Sequence, residues 1–303
     1  MTRISTTGPD GITPTLEELV ALRAGGQRAG LAKRGAYGRA GLARSTLRGR
    51  GMEYAESREY VAGDDARYID WKLTARTGKT QTKLFQADRE RLTLLVADTS
   101  AALYFGTRVR FKSVQAARVG AVAAWHYVRQ GDRLSIVRGA TSDRPITPSG
   151  GTQGVLRVLD ALARWYGQRP VDDLGLTMAL QRAVRMARPG SRVVVLADPA
   201  SAAAVPATQW GALSVHHELI VVLLVDALEL DPPPVSLPMM ANGQRIEVDL
   251  DGAATRQRWS NAFSAPISRV REALSAHRAQ LHVVHSDDDS DAWLGATPLT
   301  RSA

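Results

Sequence analysis

The sequence contains no cysteine. That absence excludes a disulfide framework, thiolate zinc sites, iron–sulfur clusters and cysteine nucleophiles, and it fits a reducing compartment. Long apolar runs are also missing. Stretches such as Leu219–Val225 fall far short of the roughly 18 residues a membrane span needs, and Met1–Asp10 has no apolar signal core. A cytoplasmic protein without a membrane span is expected. Several catalytic patterns fail at a decisive position. Gly78-Lys79-Thr80 ends like a phosphate-binding loop, but Leu73 stands at the position of its first glycine. Gly49-x-Gly51 continues to Tyr54 instead of a third glycine, and His217-Glu218 has Val221 where a zinc protease needs its second histidine. No Gly-x-Ser-x-Gly elbow is present. A phosphatase built on Asp98 would need a second aspartate where Ser100 stands, and the run Asp287–Asp291 lacks the glycine and terminal glutamate of a calcium loop. A non-enzymatic role is the expectation.

What is present suits a packed fold. The chain has 303 residues, 44% hydrophobic and 23% charged, an ordinary globular composition with room for one or two domains. The net charge of +9 is unevenly spread. Arg23, Arg28, Lys33, Arg34, Arg39, Arg44, Arg48 and Arg50 occur without a single intervening acid. The segment reads either as a solvated basic stretch or as a site for nucleic acid or another polyanion. With only Tyr37 available to stack on a base, nucleic acid is the less favoured partner.

Periodicity divides the rest. Thr15 followed by Glu17 and Glu18 opens a helix, since carboxylates suit the positive end of the helix dipole. From Met52 to Leu84, alternation at Ile69, Trp71 and Leu73, broken at Thr77-Gly78-Lys79, predicts antiparallel strands and a hairpin. Beyond Arg91, short runs apolar on both faces (Leu92–Ala97, Leu134–Val137, Val193–Ala197, Leu219–Val225, Leu281–Val284) predict buried parallel strands. Stripes at Val114, Ala117, Ala121, Trp125 and Val128, and at Leu176, Leu180, Val184 and Ala187, predict helices between them. Trp259, Phe263, Val270 and Leu274 continue the pattern, with Pro266 expected to separate two helices and Asp231–Met240 expected to be a loop. The sum is an α/β fold with a doubly wound, mainly parallel sheet, a small antiparallel β insertion and a basic N-terminal helical extension. Four parts are expected: residues 1–50, 51–91, 92–286 and an acidic tail at 287–303.

In open α/β sheets, ligands bind outside the carboxyl ends of the strands. Asp98-Thr99-Ser100, Asp198 and Asp226 all follow predicted strands, and Thr177 opens a helix near the same edge. Carboxylates and hydroxyls converging there make a hard-oxygen environment suited to Mg²⁺ or Mn²⁺. In the segment before the first parallel strand, Arg58, Arg67, Lys72 and Arg76 interleave with Glu59, Asp64, Asp65 and Asp70. This pattern reads as a hydrogen-bonded scaffold around Gly63 or as a docking surface, since Trp71 and arginines are typical of interface hot spots.

These residues resemble two known patterns. Asp98-Thr99-Ser100-Ala101-Ala102, with Thr177 and Asp198, is similar to the metal-ion-dependent adhesion site of von Willebrand factor type A domains. Ala102 replaces the usual second serine and removes one hydroxyl ligand. Gly49-Arg50-Gly51-Met52-Glu53-Tyr54, Arg58-Glu59-Tyr60, Gly63-Asp64-Asp65, Arg67, Ile69-Asp70-Trp71 and Ala75-Arg76-Thr77-Gly78 resemble the signature of the bacterial family known as domain of unknown function fifty-eight. The resemblance implies a type A-like domain usually paired with a MoxR-type AAA+ ATPase in chaperone-like or complex-maturation work. It also implies a degenerate Mg²⁺ or Mn²⁺ site at Asp98, Ser100, Thr177 and Asp198; on the docking reading of the charged segment, Arg58, Arg67, Trp71 and Arg76 would meet the ATPase.

Overall fold

The structure, a computed structural model, describes residues 11–23, 52–87, 91–241 and 244–300. Of these, 52–87 form one compact unit and the remainder another. The basic stretch after Arg23 lies outside the described residues.

Helix α1 (Leu16–Ala21) is capped by Thr15, whose hydroxyl accepts the Glu18 N–H at 3.2 Å. The helix belongs to the larger unit. Leu19 is fully buried in its core, and the Trp125 indole donates to the Leu19 carbonyl at 3.2 Å.

The smaller unit pairs strands β1 (Met52–Glu59) and β2 (Gln81–Ala87) antiparallel. Between them the alternation at Ile69, Trp71 and Leu73 does not form a strand. Instead Asp70 caps helix α2 (Trp71–Thr77) by accepting the Leu73 N–H at 3.0 Å. Gly78 ends the helix in the left-handed conformation, φ 72°, where a side chain would be strained. Cap and stop signals outweigh period two here because no sheet face covers Trp71, which is 69% exposed.

The larger unit is an α/β layer structure. Its sheet contains β3 (Leu92–Ala97), β4 (Arg133–Arg138), β5 (Arg192–Ala197), β6 (Glu218–Val225) and β9 (Ala279–His285), all parallel, in the order β4-β3-β5-β6-β9. The five strand expectations are met for a physical reason. Successive residues alternate between two cores: Leu95, Leu134, Val194 and Val222 point to one, and Leu94, Val96, Val195 and Val221 to the other. Both faces are therefore apolar.

Helices α3 (Lys112–Val128) and α4 (Gly151–Gly167) cover the first core with α1. Helices α5 (Gly175–Met186), α6 (Pro199–Ala203), α7 (Ala207–Ser214) and, beyond the short α8 (Ala227–Leu230), α9 (Ala253–Ser275) serve the second. Helix α9 is continuous through Pro266, contrary to the expected break, because Trp259, Ile267, Val270 and Leu274 anchor it on both sides of the proline. The expected loop at Asp231–Met240 is partly β7 (Ser236–Ala241), which pairs antiparallel with β8 (Gln244–Asp249) as an exposed hairpin. Within α5, Val184 of the predicted stripe is exposed, and Ala179 and Ala183 pack inward instead.

The described part of the acidic tail is bound to the body. Asp288 accepts the His285 N–H at 2.8 Å, Trp293 is buried, and the Leu299 N–H donates to the Leu281 carbonyl at 2.8 Å along the outer edge of β9. Among the described residues no helix is long and apolar enough to cross a membrane.

At the opposite edge, β4 is followed by Gly139, whose carbonyl accepts the Leu174 N–H. A Cβ on Gly139 would lie 2.2 Å from the Gly175 carbonyl oxygen. Gly139→Ala is therefore expected to cost about 1–3 kcal/mol by overpacking. Gly150→Ala meets only the Arg133 Cγ, at 3.9 Å, and should cost under about 1 kcal/mol. Urea unfolding of the two variants checks the contrast.

Candidate functional site

The strand order reverses between β3 and β5. The chain leaves β3 through α3 to reach β4 on one side, then returns through α4 and α5 to β5 on the other. A crevice opens outside the carboxyl ends of the two strands at such a switch point. Asp98 follows β3 and Asp198 follows β5, so the topology brings two of the nominated carboxylates together.

Asp98 is 1% exposed. Its Oδ1 accepts the Ser100 N–H at 2.9 Å, and its Oδ2 accepts the Asp198 N–H at 3.0 Å and the Ser100 hydroxyl at 3.2 Å. Burial pushes its carboxyl up to about 6, against hydrogen bonds that favour the ion. Ser201, in the first turns of α6, donates to the Ser100 Oγ at 3.0 Å. Thr177 sits in the first turn of α5, where its backbone carbonyl accepts from the Gln209 amide at 2.8 Å. Ala102 is exposed in the 3₁₀ turn Ala101–Leu103.

Asp198 is a helix cap, its Oδ1 accepting the Ala200 N–H at 2.8 Å. Its Oδ2 accepts from the Lys112 ammonium at 2.7 Å, and the same ammonium reaches the Glu229 Oε1 at 2.6 Å. The Lys112 side chain is 1% exposed. Burial opposes its charge, but Asp198 and Glu229 outweigh that effect and hold the ammonium above its ordinary range. Glu229 is itself pushed up by burial, with Lys112 acting in the opposite direction. Its other oxygen accepts the Asp226 N–H at 2.9 Å. Asp226 binds the Leu228 N–H at 3.0 Å, the Thr107 N–H at 3.0 Å and the Ser286 hydroxyl at 2.7 Å. Burial pushes its carboxyl up, yet these bonds prevail and leave it below the ordinary carboxylate range.

Sequence reasoning passed over Lys112, Glu229, Asp173 and Ser201. Two signals were available. A lysine at the first position of a helix opposes the macrodipole, so it calls for an acidic partner. Asp226-x-x-Glu229 is a reciprocal capping pattern, and the structure forms it. Asp173 had no strand to point to it; it accepts the Thr99 hydroxyl at 3.2 Å from the segment joining α4 to α5.

The arrangement does not fit the divalent ion that the adhesion-site resemblance implies. One oxygen of Asp198 is committed to the α6 N-terminus and the other to an ammonium, and Ala102 supplies no hydroxyl. Among the described residues no three His, Asp or Glu side chains are grouped to hold a metal. The Ser100 hydroxyl donates to Asp98 and accepts from Ser201, so among the described residues no serine–histidine pair forms at this point.

In the smaller unit the nominated residues divide by role. Arg58 pairs with Asp64 at 2.7 Å, and Arg67 pairs with Asp65 at 2.7 Å. Those carboxylates also accept backbone N–H groups of Val61 and Arg67, which makes both pairs part of the turn scaffold. Trp71 and Arg76 are exposed on α2 together with Lys72.

Residues 56–267 match the family described as Protein of unknown function DUF58. The chain belongs to the DUF58 family. Two similar relatives are uncharacterized proteins of Mycobacterium bovis and Mycobacterium tuberculosis, each 30% identical over 256 residues, covering 81% of this chain and 77% of the relative. The DUF58 match contains the Asp98, Lys112, Asp198 and Glu229 cluster as well as Arg58, Arg67, Trp71 and Arg76. The basic stretch at 24–50 precedes it.

Proposed function

We propose that this DUF58 chain is a non-catalytic adaptor of the von Willebrand factor type A class, working with a MoxR-type AAA+ ATPase and its protein client. The reading rests on one observation above the resemblance. The polar groups at the switch point are engaged with one another in fixed hydrogen bonds, whereas exposed apolar residues stand on the surrounding loops: Val109 between β3 and α3, and Val171 and Leu174 between α4 and α5. Exposed apolar side chains around a rigid polar centre suit protein docking. On this reading Trp71 and Arg76 of α2 supply a further contact.

The test is binding of the purified chain to the MoxR-type ATPase of its own genome, with ATP, measured by surface plasmon resonance. Val171→Asp with Leu174→Asp is expected to weaken binding more than tenfold while leaving the circular dichroism spectrum unchanged. Parent-like affinity in the double variant removes the carboxyl edge as the docking surface. If the parent does not bind the ATPase, the adaptor reading fails. Nucleic-acid binding through Arg23–Arg50 is the competing proposal, supported by eight cations without an acid; it requires an affinity that falls steeply with salt.

A further inference from the structure

We propose that the cation serving the carboxyl edge of this protein is the Lys112 side chain, and that the crevice is assembled without a divalent ion. The inference concerns the isolated chain and stands whether or not the adaptor reading does.

Three placements carry it. Lys112 is the first residue of α3, buried at the centre of the edge, within 2.7 Å of Asp198 and 2.6 Å of Glu229. An ammonium offers three donors, and here two of them join the loops that follow β5 and β6. Asp198 is also the second carboxylate of the adhesion pattern. A divalent ion drawing on it would stand beside a buried positive charge bonded to the same group, with little water to screen the two. The pattern is also short of one oxygen, because Ala102 supplies no hydroxyl. Asp98 is meanwhile satisfied by Ser100 and the Asp198 backbone, with Ser201 bonded to the Ser100 hydroxyl in turn. The lysine thus does structurally what a bound ion does elsewhere: it neutralises carboxylates from separate loops and draws them together.

The probe is Mn²⁺ alone, titrated into the full chain and followed by electron paramagnetic resonance and by thermal unfolding. Binding at this edge is defined as binding lost in Asp98→Asn. The parent is expected to show none at millimolar Mn²⁺ and to keep its Tm in EDTA. Binding that survives in Asp98→Asn lies elsewhere and agrees with the proposal; binding that Asp98→Asn abolishes overturns it. Ala102→Ser separates the lysine from the missing serine. Because Ala102 is exposed, the added hydroxyl fits without repacking, and the variant should still bind no Mn²⁺ at Asp98. If Ala102→Ser gains such a site, the serine and not the lysine was excluding the metal, and the proposal fails.

Discussion

Replacing Lys112 by methionine is expected to lower stability by about 3–5 kcal/mol, the usual cost of leaving a buried charge without its partner. Methionine matches the length of the lysine stem, so little packing is lost. The loss comes from Asp198 and Glu229, which remain buried with one oxygen each deprived of the ammonium. Because two loops and the start of α3 meet at this point, the variant should also loosen the crevice itself. Adding Glu229→Gln tests the cause: the double variant should cost less than the two single changes together, since the orphaned carboxylate is gone. Urea unfolding at pH 7 measures all three. A loss below about 1 kcal/mol in Lys112→Met would mean that the ammonium does not hold the edge together.

The uneven legibility of this site follows from where each group's partner lies in the chain. Asp98 and Asp198 could be found because strand ends are visible in sequence: both faces of each strand are covered, so the runs are continuous and the residue that ends them stands out. Lys112 could not be found in that way. Its partners lie 86 and 117 residues away, and a lone lysine beside a helical stripe looks like a solvated one. Thr177 lies in the first turn of α5, where its carbonyl accepts from the Gln209 amide. In the smaller unit, alternation at Ile69, Trp71 and Leu73 suggested a strand, while Asp70 and Gly78 were the true signals. Periodicity reports structure only where a face is buried, and α2 leaves Trp71 outside. The acidic run shows the reverse case, since Asp288 closes the end of β9 and Trp293 packs behind it.

Asp98 sets a pH dependence with a defined sign. Burial raises its folded pKa to about 6 from an ordinary 3.8, so the folded state binds this proton more tightly than the unfolded chain. The stability it confers is fully present below pH 3.8 and is lost as pH rises through about 6. For a fully buried group the change amounts to about 3 kcal/mol. Asp98→Asn removes the titration. Relative to the parent, the variant should therefore gain about 3 kcal/mol between about pH 4 and pH 7, whatever its starting difference. Other carboxylates titrate in both proteins and cancel. Urea unfolding across this range measures the gap, and a flat difference would show that Asp98 holds no proton. The same comparison in a Lys112→Met background links the two effects. The negative charge of Asp198 already pushes Asp98 upward, and the ammonium now neutralises much of it. Without Lys112 the window for Asp98 should move to higher pH; a window that stays in place would mean that the lysine does not govern the field at the crevice.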